Sequence, residues 1–150
     1  MAAAALPTRF GLLLYPQWEV LDVFGPAEAL NVLSRPEFGA GYKHFSLSII
    51  STTLEPVPAM AAGNPFQQAL TPTHTVDNAP PLDVLLVPGG LGSGSKDTDP
   101  LVKFIRDRYP SLMYLITVCT GADLAARAGV LDGRKATTNK AAWVAPTPFP

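Results

Sequence analysis

The chain contains one cysteine, Cys119, in "LITVCTGADLAARAG", where an apolar run gives way to an Ala-rich helical stretch. A cysteine in a sharp turn between a strand and a helix is held away from the sheet, and the free N–H groups at the helix start favour thiolate over thiol. This is the arrangement of a nucleophile elbow, which presents a sulfur able to add to an electrophilic carbon. Gly121 gives such a turn room, although Thr117 stands where the elbow pattern has its other glycine. The alternative is a small buried hydrophobe with an inert thiol, and a lone cysteine rules out an internal disulfide.

Other candidates surround it. Asp22, in "LDVFGP", is either the N-cap of the following helix or a carboxylate that exchanges protons with Cys119 or an attacking water. Gly89 and Gly90, in "LVPGG", form either a tight turn or a pair of unobstructed backbone N–H donors toward charge developing on a substrate. Thr120 offers its hydroxyl to a substrate or caps the helix. Glu28 either shares the crevice or faces solvent. His44 and His74 fall outside this group, and no H-x-x-x-H or C-x-x-C spacing occurs, so no metal and no other cofactor is expected.

These residues need a frame. Residues 8–15 read as a strand buried on both faces and ended by Pro16; a loop carrying Asp22 follows, then a helix with Pro26 in its first turn. A second strand is expected at 45–51, turns with one or two short strands at 54–82, and a further buried strand at 82–90. A helix from Asp99 should end before Pro110, a strand follows at 112–118, then a helix closed by Gly129 as its C′ residue. Residues 133–143 could begin another strand. This alternation implies a parallel sheet with helices on both faces, whose ligand crevice lies beyond the carboxyl ends of the strands at the switch in strand order. Asp22, Gly89, Gly90 and Cys119 all fall at that edge.

With 47% hydrophobic and 15% charged residues in 150, the chain has apolar material for one domain and too little for two. Residues 1–7 read as a flexible N-terminus, 8–145 as the domain and 146–150 as a Pro-rich tail. A net charge of −1 supplies no basic field for nucleic acid or an anionic membrane surface, and no apolar run is long enough to span a bilayer. A cytoplasmic protein acting on a small molecule is the expectation.

"LLLYPQWEVLDVFGPAEAL", "PPLDVLLVPGG" and "VCTGADLAARAGVLDGRKATT" together resemble the ThiJ/PfpI superfamily, in order from about residue 9 to 143. The resemblance implies a class I glutamine-amidotransferase-like, flavodoxin-like three-layer α/β/α sandwich with a mostly parallel sheet and a nucleophile elbow. The combination of "LDxxGP", "VCTG" and "GRxATT" is similar to isonitrile (isocyanide) hydratases. It implies Cys119 as nucleophile, Asp22 as its acidic partner, Thr120 as the neighbouring hydroxyl, and Gly89 and Gly90 as backbone donors. In that chemistry the thiolate adds to the terminal carbon of R–N≡C, and water resolves the thioimidate to an N-substituted formamide. The protease-like and glyoxalase-like branches commonly place histidine at or near the position after the cysteine, where this chain has Thr120. The hydratases follow "ATT" with histidine and tryptophan, where this chain has Asn139 and Lys140.

The family ordinarily continues past this point with a strand, a Gly/Ser-rich turn and a closing helix, so an exposed sheet edge and marginal stability are expected. The resemblance also implies a homodimer, with the apolar helix at 26–33 as a contact. Beside the enzyme reading stand a redox-sensing or ligand-binding module and an inactive truncated paralogue.

Overall fold

The computed structural model describes residues 6–38 and 45–143. Residues 1–5, His44 and the Pro-rich tail lie outside the described residues. In chain order the elements are β1 (Arg9–Leu13), α1 (Val20–Ser34), β2 (Ser46–Ser51), β3 (Val57–Pro58), β4 (Ala69–Leu70), β5 (His74–Thr75), β6 (Val84–Val87), α2 (Asp99–Arg108), β7 (Tyr114–Thr117) and α3 (Gly121–Arg127). Five strands form one parallel sheet in the order β5-β2-β1-β6-β7, while β3 and β4 pair antiparallel apart from it. The chain leaves β1 toward β2 and returns to β6 on its other side. The switch point therefore lies between β1 and β6.

Alternation along β1 and its continuation sends successive side chains to opposite faces. Leu13 and Tyr15 join Leu85 and Val87 of β6, Leu101 and Ile105 of α2, and Leu124 of α3 in one apolar cluster. Leu12, Leu14 and Leu86 face the other way, onto Trp18 and onto Val23 of α1. The three layers follow from this split, as in a flavodoxin-like fold. α2 buries Leu101, Val102, Phe104 and Ile105 as a helical stripe and gives way to a 3-10 turn containing Pro110. After α3, Gly129 takes φ 75° and donates to the Ala126 carbonyl while Val130 donates to that of Ala125, the paired bonds of a Schellman closure.

Two local expectations are corrected. Helix α1 begins at Val20, not at Pro26, so Asp22 lies in its first turn and Pro26 inside it. Proline has no N–H to offer the carbonyl four residues back, which is that of Asp22. Packing of Val20 and Val23 against the cluster around Leu12 and Leu86 holds the early turns helical despite this. Residues 133–143 form no strand: turns and irregular chain lead to a 3-10 turn at Lys140–Ala142. The short strands expected within 54–82 number three, each of two residues.

One side of the sheet is incompletely covered among the described residues. Tyr114 and Ile116 of the edge strand β7 are 56% and 46% exposed. A cavity of about 230 Å³ runs from there under α1, lined by Leu12, Leu86, Ile116, Pro26 and Leu30.

Candidate active site

The carboxyl ends of β1, β6 and β7 deliver the site. Beyond β1 the chain crosses to β6, where Trp18 forms an isolated antiparallel bridge with Gly90 and the Glu19 amide donates to the Gly89 carbonyl at 2.8 Å. These contacts dock the start of α1 onto the end of β6. One turn in, Asp22 accepts the Gly89 N–H on Oδ2 at 3.0 Å. It is not the N-cap, which is Glu19, and that cap makes no side-chain hydrogen bond.

Beyond β7, Cys119 sits at φ 54°, in the left-handed region that a residue with a Cβ ordinarily avoids. Holding it there costs about 1–3 kcal/mol, which the surrounding contacts must offset. Thr120 provides one contact: its hydroxyl oxygen accepts the Gly90 N–H at 2.9 Å and lies 3.1 Å from the Gly90 carbonyl, to which it donates. Thr120 occupies the N-cap position of α3, but its side chain caps nothing. Gly121 packs under the turn, where an added Cβ would stand 2.3 Å from the Val87 carbonyl oxygen.

Gly89 is the hinge of the arrangement. A Cβ there would lie 2.7 Å from Asp22 Oδ2, 2.7 Å from Cys119 Cβ and 2.8 Å from the Thr120 nitrogen. A bare backbone at this point is what lets the carboxylate approach the cysteine turn. The amides of Gly89 and Gly90, read from sequence as unobstructed donors, are both engaged within the protein, by Asp22 and Thr120 respectively.

Sequence reasoning assigned no site role to Tyr15, Thr138 or Asn139. Tyr15 is buried and donates its hydroxyl to the Pro88 carbonyl at 2.6 Å. Burial, with the negative fields of Asp22, Cys119 and Asp123, holds its hydroxyl well above the ordinary tyrosine range, so it stays protonated and fixes the Pro88–Gly89 backbone. The Thr138 hydroxyl donates to the Cys119 carbonyl at 3.1 Å, and Asn139 Nδ2 lies 3.2 Å from Cys119 Sγ. The 3-10 turn that follows runs into Trp143, which is 47% exposed. The one available signal was the position of Asn139, directly after the "ATT" that carries part of the family resemblance.

Asp123, in the first turn of α3, is buried, and burial pushes its carboxyl upward against the opposing pull of Arg127 at 3.7 Å. Arg127 also reaches Asp99 at 2.5 Å and the Ser93 carbonyl at 2.7 Å, which ties α3 to α2 and to the loop after β6. Glu28 pairs with Arg35 at 3.5 Å and with Asn31 on an exposed part of α1. His74 lies on β5, at the far edge of the sheet, against the Thr73 hydroxyl.

Taken together, the site holds a thiol on a left-handed turn, a carboxylate drawn close by a glycine, and an amide on the sulfur. Such a set can form a covalent adduct and move protons around it.

The chain is 34% identical over 132 residues to isonitrile hydratase from Pseudomonas putida, an alignment covering 87% of this chain and 52% of that protein. It thus spans about half the length of that relative. It is 33% identical over 138 residues to a Streptomyces lividans protein described as "uncharacterized protein in cpoL 5′ region", covering 89% of this chain and 88% of that one. The crystal structure of a ThiJ/PfpI family protein from Pseudomonas syringae superposes with a TM-score of 0.67 at 28% identity, over 87% of this chain and 50% of that one. The sequence matches the DJ-1/PfpI family over residues 9–144, and the chain belongs to that family.

Proposed function

We propose that this protein is a cysteine-dependent hydratase acting on a small electrophile, and that its reaction is the hydration of an isonitrile to an N-substituted formamide. The observation that carries the reading is the elbow itself, with Cys119 at φ 54° and Asp22 Oδ2 and Cys119 Cβ each 2.7 Å from the point a Cβ on Gly89 would occupy. The likeness to an isonitrile hydratase supports the choice of substrate class.

The steps balance on these residues. Asp22 takes the proton of Cys119, and Sγ adds to the terminal carbon of R–N≡C to form a C–S bond. The proton held by Asp22 passes to that carbon, giving the thioimidate Sγ–CH=N–R. A water then adds to the same carbon, its proton passing by way of Asp22 to the nitrogen. The hydroxyl proton passes to Asp22 as the C–S bond breaks and R–NH–CHO leaves, and Asp22 returns that proton to the sulfur. The net change is the addition of one water to the isonitrile, with no oxidant or reductant.

The test is formamide production by the purified chain from aliphatic isonitriles of graded size. Turnover should disappear in Cys119→Ala and fall by about a hundredfold or more in Asp22→Asn, as expected on losing a general acid–base group. A folded wild-type chain that makes no formamide from any of them would overturn the proposal and favour a binding or oxidant-sensing role.

A further inference from the structure

We infer that Asn139 is the hydrogen-bond donor to the thiolate of Cys119 and takes no proton from it. The inference rests on the reading of Cys119 as the nucleophile. Asn139 Nδ2 lies 3.2 Å from Sγ, and its Oδ1 accepts the Ala141 N–H at 2.8 Å. The second bond fixes which end of the amide faces the sulfur: Oδ1 is committed to the 3-10 turn, so the NH2 group points at Cys119. An amide NH2 donates and does not accept. It stabilises a thiolate by a charge-assisted bond and takes no proton from a thiol.

The donor is held by construction. Thr138, its neighbour, donates to the Cys119 carbonyl at 3.1 Å, so consecutive side chains of one segment grip the sulfur and the backbone of the same residue.

Tyr15, after β1, feels Asp22 on α1, Cys119 and Asp123 on α3, and Lys140 follows Asn139 in the chain. Tyr15 remains protonated and its hydroxyl is committed to the Pro88 carbonyl.

Iodoacetamide alkylation across pH tests the inference without any substrate, and the single cysteine makes every modification a modification of Cys119. Asn139→Asp is the informative variant. Its carboxylate still accepts from Ala141 and keeps the turn, but sets an oxygen where the donor was. At pH 7 its alkylation should be about tenfold slower than wild type, a size appropriate to one charge-assisted bond. The pH of half-plateau should move upward, with the alkaline plateau unchanged. Asn139→Ala should move the same way by less. Asn139 is exposed, so neither change empties the core. Wild-type alkylation profiles in both variants would overturn the inference. Formamide production is scored separately: its absence in wild type, with the alkylation shift intact, removes the proposed reaction and leaves the donor role standing.

Discussion

At the scale of single residues, Gly89 has no chemistry of its own yet keeps clear the space between Asp22 and the Cys119 turn. Gly89→Ala would drive a methyl group within 2.7 Å of both. The expected result is a chain destabilised by about 1–3 kcal/mol through overpacking, and turnover reduced about a hundredfold by misplacement of the carboxylate. Thermal melts and formamide assays would check the two effects separately, and wild-type behaviour in both would contradict the placement. Cys119, Asp22 and the glycines stand out in the sequence because each sits in a short pattern with a mechanical meaning: an apolar run followed by a turn, or a carboxylate in an apolar setting. Asn139 does not. Its partner lies 20 residues away, beyond α3 and the irregular chain after it, and only the folded path of 131–139 brings the two together.

At the scale of elements, the start of β1 is held by Asp83 immediately before β6. Its carboxylate accepts the Thr8 and Arg9 amides at 2.9 Å each, and the Arg9 side chain as well. The Arg9 guanidinium first, and then the Thr8 amide, hold this carboxyl well below the usual carboxylate range. A depressed value means that protonation favours the unfolded chain. The contribution is therefore complete above the ordinary aspartate value, about 3.9, and is lost as pH falls through the lower folded value. Half of the Arg9 side chain is exposed, so solvent screening keeps the effect modest. Asp83→Asn should lower Tm at pH 7 by about 3 °C, and the gap to wild type should close as the pH is taken below about 3. A gap independent of pH would show that charge plays no part. The strands β1, β6 and β7 and the helices α2 and α3 were legible in sequence, since apolar runs and helical stripes are local signals. The start of α1 was not, because Pro26 is a strong local marker and the packing that overrides it comes from other elements, Leu12 on β1 and Leu86 far along the chain on β6. The segment 133–143 failed for a related reason: its anchoring comes from side chains that bond to the cysteine turn, not from a ladder.

At the scale of the whole molecule, the outermost strand on this side of the sheet among the described residues, β7, is free of the charges that ordinarily blunt an edge: residues 110–118 contain no Asp, Glu, Lys or Arg. Tyr114 and Ile116 on β7 are exposed, as are Leu21, Phe24 and Leu33 on α1. Self-association that strengthens with concentration is the expected behaviour. Sedimentation of the wild type should show a mass that rises with concentration, and Ile116→Lys should weaken association about tenfold by placing a charge on the uncovered face. A monomer at every concentration would contradict this.

The route of the chain around the site also has a spectroscopic consequence. It carries two tryptophans: Trp18 is buried and bridged to Gly90, and Trp143 is half exposed at the end of the turn that begins with Asn139. Trp18 marks the α1–β6 junction and Trp143 the Asn139 segment, so intrinsic emission divides into a blue component from the first and a red component from the second. A single fluorescence titration can then report which of the two segments responds when the thiol is occupied.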